Sequence, residues 1–201
     1  GMSGGTVPKP ETLLTAVLGT LFDADRRVTV PGFYDGVAAV NAEEHRRWQT
    51  LDFEESLFLG SVGIEAPVGE AGFDTLSRRW VRPSCDICGL YGGYVGEGAK
   101  TVIPSFAGAK IVFRLAPNQD PRRIADAFEA WLNHFDVRGC RWKITHLGHA
   151  EPVVMPLESP FITAATRAVR RVADHDPVLV REGATIPILA DFKKSLGLNS
   201  L

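Results

Sequence analysis

One stretch restricts the fold more than any other. In SFAGAKIVFRLAP (105–117), Ile111, Phe113 and Leu115 alternate with Lys110 and Arg114, the two-residue period of a half-buried strand. Asp120 and Pro121 then supply an N-cap residue and a proline at the first helical position. Ile124, Phe128, Trp131, Leu132 and Phe135 follow at i, i+4, i+7, i+8 and i+11, a single apolar helix face. Gly139 is a stop signal, and RWKITHL (141–147) reads as the next strand. A further strand is expected upstream in SCDICGLYG (84–92), so the order is strand, strand, helix, strand. A helix opened by Pro10, with Leu13, Leu14, Val17, Leu18, Leu21 and Phe22 on one stripe, precedes them. Together these elements match most of a ferredoxin-like βαββαβ sandwich in an α+β chain. Its first strand is not visible and is expected upstream of Gly1.

Two regions stand apart from that sandwich. RVTVPGFYDGV (27–37) is a short β-prone run ended by Pro31-Gly32, after which residues 41–82 are polar and helix-rich. NAEEHRRWQTL, DFEESLFLG and FDTLSRRWV each predict a short helix, and the region is expected to be an excursion rather than part of the core. Near residue 157 a second unit begins. Ser159-Pro160 opens a helix with Phe161, Ala165, Ala168, Val169 and Val172 on one side. PVLVREGATIPILADFKKSLGL (177–198) then predicts a buried strand, a turn, and a helix or extended segment. This unit is too small for a core of its own and is expected to pack on other structure.

Charge and composition exclude several classes. Lys and Arg number 22 against 24 Asp and Glu, a net charge of −2, so nothing points to nucleic acid or to an acidic tail. The apolar runs are broken by Thr or Gly, too short to cross a membrane. Gly1, ahead of Met2, reads as a residue left by tag removal, and no charged start leads into an apolar core as a signal peptide would. Three cysteines do not make a disulfide framework, and the expected compartment is the reducing cytoplasm.

The chemistry-bearing motifs fail one by one. GGYVGEGAKT (92–101) has the look of a phosphate loop, but Ala99 separates Gly98 from Lys100 and Val102-Ile103-Pro104 follows where a helix is required. Its glycines are expected to shape a strand-to-strand connection. Cys85 and Cys88 have CxxC spacing, yet positions i and i+3 of a strand face opposite ways and no second pair completes a zinc site. The same geometry separates His146 from His149. Glu43-Glu44 and Glu54-Glu55 are helical neighbours, splayed by ~100°. His45, His134 and His175 are expected to be solvated, and no glycine-flanked nucleophile turn exists. In VREGATIP (180–187), Glu182 and Thr185 offer an acceptor and a hydroxyl beside the permissive Gly183, at a strand end where α/β proteins place ligands. The competing reading is a surface turn with Arg181 in a salt bridge.

Five segments in order resemble the acetylornithine deacetylase / succinyl-diaminopimelate desuccinylase / carnosine dipeptidase family of zinc metallopeptidases. They are GGTVPKP, RVTVPGFYDGV, DICGLYGGYVGEGAKTVIP, AKIVFRLAPNQDP and REGATIP, and they span nearly the entire chain. The resemblance is strongest to the dipeptidase branch, with its long helical insertion. It implies that residues 1–155 are a lid and dimerisation domain, with the insertion at about 41–82, and that 156–201 begin the return into an α/β catalytic domain. It implies a homodimer acting on small peptides or N-acyl amino acids.

The resemblance also assigns residues. Asn118 matches a lid residue that contacts substrate across the dimer. Glu182, Gly183, Ala184 and Thr185 match an EGGS loop that binds the substrate's terminal groups, with Ala184 and Thr185 departing from Gly-Ser. Two zinc ions are implied for the complete enzyme, but its metal ligands and general base belong to segments that these residues do not match. The chain alone is therefore expected to hold no metal and to be inactive. A stand-alone, non-catalytic dimerisation module is the alternative.

Overall fold

The computed structural model describes residues 3–182 and 186–200, and the chain is α+β. Its elements are α1 (Pro10–Leu18), α2 (Ala42–Trp48), α3 (Glu55–Gly60), α4 (Thr75–Trp80), β1 (Ser84–Gly92), β2 (Ala107–Arg114), α5 (Pro121–Asn133), α6 (Pro160–Arg170) and α7 (Ile188–Leu196). They fall into two compact units. The first is Gly1–Asp35, Ser84–Arg114 and Pro121–His149; the second is Gly36–Pro83, Leu115–Asp120 and Ala150–Leu201.

In the first unit β1 and β2 pair antiparallel, from Ser84 opposite Arg114 to Gly92 opposite Ala107. The register shifts between Ile87 and Gly89, leaving Cys88 as the extra residue of a bulge. The two strands join through the glycine-rich run, where Gly92, Gly93 and Gly98 take φ of 144°, 66° and 77°. Those backbone angles are closed to most side chains, which is the role expected of the glycines. α5 carries its apolar face as the sequence predicts, with Ile124, Trp131 and Leu132 buried. Rings run through this core in series: Phe33 to Phe113 at 5.7 Å, Phe113 to Phe128 at 5.1 Å, Phe128 to Trp131 at 5.6 Å and Trp131 to Phe135 at 4.9 Å.

Three sequence expectations are corrected in this unit. α1 stops at Leu18, before Leu21 and Phe22, yet Leu21 is fully buried after the turn. The β-prone run 27–37 forms only an isolated antiparallel bridge, Phe22 with Val28. The expected strand at 141–147 has no ladder partner among the described residues, although Trp142 and Ile144 stay half-buried between exposed Arg141, Lys143 and Thr145. The side-chain alternation of a strand therefore survives without its hydrogen bonds. In a βαββαβ order the first strand lies between the third and the fourth, so the expected partner of 141–147 is not among the described residues.

The second unit holds the three predicted short helices α2, α3 and α4. Asn41 caps α2 by accepting from the N–H groups of Glu43 at 2.9 Å and Glu44 at 3.2 Å, and Asp74 caps α4 from Ser77 N–H at 2.7 Å. The region is more than a polar excursion. Trp48 is 1 % exposed and meets Trp80 edge-on at 5.0 Å, and Leu59 and Leu76 are buried. Segment 177–182 forms no ladder among the described residues, where a buried strand was expected. α6 begins at Pro160 with Ser159 as its cap, but its expected apolar side is open, with Phe161 60 % and Val172 88 % exposed. α7 ends on Gly197 at φ 66°, whose N–H donates to Lys193 O while Leu198 N–H reaches Phe192 O.

Candidate substrate-contact site

Asn118 sits in the six-residue connection Leu115–Asp120 that leaves β2. Its φ is 70°, a left-handed conformation that asparagine tolerates better than most side chains. The turn is closed from inside. Gln119, 4 % exposed, folds its side chain back so that Oε1 accepts the Ala116 N–H at 2.7 Å, and Gln119 N–H donates to Ala116 O at 3.3 Å. With its neighbour Gln119 turned inward, Asn118 stands exposed, as does Asp120. Gly36 backs it: a Cβ at that position would stand 2.9 Å from Asn118 O, and Gly36 itself has φ 79°. A free carboxamide on a braced turn can donate to and accept from a peptide at once.

Glu182 is the one described residue of the predicted loop 182–185; Gly183, Ala184 and Thr185 lie outside the described residues. Glu182 pairs with Arg79 of α4, whose guanidinium also lies over the Phe58 ring at 4.6 Å. Arg181 is in a salt bridge, as the surface-turn reading expects. Its Nε and Nη2 donate to the two carboxylate oxygens of Glu44, each at 2.9 Å. Trp48 Nε1 donates to Leu179 O at 3.3 Å. Asn118 and Glu182 both belong to the second unit, and no hydrogen bond joins them among the described residues.

Sequence reasoning did not find Glu44, Arg79 or Trp48. Glu44 and Arg181 are 137 residues apart, and only the uncompensated Arg-Glu dipeptide beside a predicted loop hinted that partners existed. The carboxylate pairs do diverge: Glu43 pairs with Arg47 while Glu44 turns to Arg181. His45, expected to be solvated, instead binds Asp74 Oδ2 at 2.6 Å. Cys85 is buried and Cys88 exposed, so the two thiols do part company; burial, helped by Asp86 and Cys88, pushes the Cys85 thiol up to about 12. Among the described residues no group of three or more His, Cys, Asp or Glu is placed to hold a metal ion.

The Asn118 turn and the anchored Arg181-Glu182 pair both belong to the second unit. The peptidase dimerisation domain matches residues 16–140, well over half of the chain. The chain belongs to the M20 peptidase dimerisation-domain family. All of it aligns at 30% identity with a Cys-Gly metallodipeptidase of Candida albicans. In structure it is similar to an M20 family metallo-carboxypeptidase of Sulfolobus solfataricus, with a TM-score of 0.83 at 26% identity over 99% of this chain. It is equally similar to human carnosine dipeptidase 1, with a TM-score of 0.82 at 28% identity over 99% of this chain. The chain spans less than half the length of each, namely 42%, 45% and 43%. No described helix is long and apolar enough to cross a membrane.

Proposed function

We propose that these residues are the lid and dimerisation region of a metal-dependent hydrolase that cleaves dipeptides or N-acyl amino acids. Residues 1–155 form the lid, with the insertion at about 41–82, and 156–201 open the return into the catalytic domain. The observation that carries the reading is end-to-end similarity to a protein named as a metallodipeptidase, across both the dimerisation domain and the segment that follows it.

Each site residue then has a role. Asn118 reaches into the active site of a partner copy and hydrogen-bonds the substrate, so a homodimer is required for a complete site. Glu182, Gly183, Ala184 and Thr185 receive the substrate's terminal groups; Thr185 keeps the hydroxyl of a serine and adds a methyl. The described residues do not fit two zinc ions, and those ions, with the chemistry of amide hydrolysis they supply, belong to ligands elsewhere in the complete enzyme. The compartment is the cytoplasm, in keeping with three free cysteines.

Two measurements test this. Light scattering on the 201 residues is expected to give a dimer, and these residues with added zinc are expected to leave Cys-Gly intact. The protein expressed from its whole reading frame is expected to hydrolyse dipeptides only with metal present. A whole-frame protein that forms the dimer yet cleaves no dipeptide or N-acyl amino acid would replace this reading with a non-catalytic dimerisation module.

A further inference from the structure

A segment in neither a helix nor a ladder must be held by something other than regular backbone pairing. Residues 177–182 are such a segment, and three contacts from the helical insertion converge on them. The Trp48 indole, itself almost wholly buried, donates to Leu179 O. The Glu44 carboxylate, 14% exposed, takes both guanidinium donors of Arg181, and Arg79 takes Glu182. Arg181 and Glu182 pair with different helices, α2 and α4.

The signs of these partners matter. An anionic socket on α2 and a cationic one on α4 accept the order Arg-Glu in one register alone. Moving the chain by one residue would set Glu182 against Glu44 or Arg181 against Arg79, and like charges brought together reject the wrong register. The sockets are themselves set: Phe58 of α3 lies under the Arg79 guanidinium, and Glu43, next to Glu44, is occupied by Arg47.

We infer that the Arg181-Glu182 dipeptide is a charge-keyed latch onto α2 and α4, which makes Glu44, Arg79 and Trp48 positioning residues for Glu182 and the backbone that leads to it. The inference rests on the reading of 182–185 as a substrate-facing loop. It gives the helical insertion a task in substrate binding although it supplies no group that touches substrate. The two pairs are unequal. Arg181–Glu44 is forked and mostly shielded from water, whereas Glu182 is half-exposed and its pair is the weaker.

The test uses amide hydrogen exchange on the full chain and steady-state kinetics on the protein expressed from its whole reading frame. Glu44→Gln is expected to speed exchange at 178–182 and 186 roughly tenfold, the size of losing charged hydrogen bonds to a shielded carboxylate, with β1, β2 and α5 unchanged. Arg79→Gln should do the same by about twofold, as suits a half-exposed pair. The reversed pair, E44R with R181E, is expected to restore slow exchange. In the whole-frame protein Glu44→Gln should raise KM several-fold with a smaller change in kcat.

Unchanged exchange, or exchange that rises equally throughout α2, α3 and α4, overturns the latch. Loosened exchange with unaltered KM overturns its role in positioning substrate. A whole-frame protein without hydrolase activity removes the substrate-loop reading and with it that role, while the exchange data still decide the latch itself.

Discussion

The two units are built on different principles. The first is held by rings and aliphatic side chains most of which recur with a regular period: the alternation of β2, the stripe of α5 and the series from Phe113 to Phe135, with Phe33 joining from a distant segment. The second is assembled from helices of six to eleven residues. Most are too short to be stable alone, and what joins them is a small apolar cluster around Trp48, Leu59 and Leu76 together with polar pairs. Glu44 with Arg181, Asp74 with His45 and Lys193 with Val154 O link segments far apart in sequence, and Glu70 with Arg82 closes a shorter span. A periodic core leaves its trace in the sequence, whereas a core of paired charges does not, because either partner reads as a solvated surface residue until the other is known.

The largest expected effects compare the two kinds of core directly. Arg82 and Glu70 are 10% and 6% exposed and share two hydrogen bonds of 2.7 Å, with the Arg82 guanidinium over the Phe73 ring at 4.3 Å. Arg82→Ala leaves a shielded carboxylate without its fork and is expected to cost ~3–5 kcal/mol. Trp131→Ala empties the middle of the ring series and is expected to cost ~3–5 kcal/mol through cavity and lost transfer energy. Urea unfolding measures both totals, and hydrogen exchange separates them. Arg82→Ala should loosen α2 to α4 first, Trp131→Ala β1, β2 and α5. The double change E70Q/R82M, which removes both charges, should cost less than Arg82→Ala alone. A double variant as damaged as the single would mean that the second unit does not depend on charge pairing as described.

That contrast sets how much could be read beforehand. β1, β2, α5, the three short helices of the insertion, the starts of α1 and α6 at their prolines, and the turn role of the glycine run were all legible, because caps and periodicity are local signals. The pairing of 141–147 and 177–182 was not, since a strand needs a partner and residue pattern reports only burial. The open face of α6 was unreadable for a related reason: a stripe of Phe161, Ala165 and Val169 shows that something is meant to cover it, not what. In the site, Asn118 was reached through family resemblance, while its brace depends on Gln119 turning inward and on Gly36, neither of which has any pattern to betray it.

Gly36 offers a smaller and more local perturbation. Gly36→Ala is expected to cost about 1–2 kcal/mol, since a side chain there meets both an unfavourable φ and the Asn118 carbonyl. The sharper outcome is spatial. Amide resonances of 116–119 should move while those of α5 hold still, and in the whole-frame protein substrate binding should weaken. Wild-type stability with shifted resonances would show that the turn yields easily; no shift at all would show that Gly36 does not brace Asn118.

The smallest expected effect concerns Asp74, which caps α4 and binds His45. Burial alone would raise its carboxyl, but the hydrogen bonds from His45 and from Ser77 outweigh it and hold the group below the ordinary carboxylate value of 3.8. A carboxyl lowered on folding adds stability that is fully present above its unfolded value and disappears as pH falls through the folded one. Replacing the carboxylate with an amide keeps a capping oxygen, so Asp74→Asn should cost no more than ~1 kcal/mol at pH 6. Below pH 4 the wild type loses its advantage, and the two stability curves should converge as acid protonates Asp74. His45→Ala removes the other half of the pair and should raise the Asp74 titration midpoint toward the ordinary value, followed through its carboxyl resonance. Curves that stay parallel through pH 3 would mean that the α2–α4 contact does not draw on this charge, and that the caps of the second unit act singly rather than as a linked set.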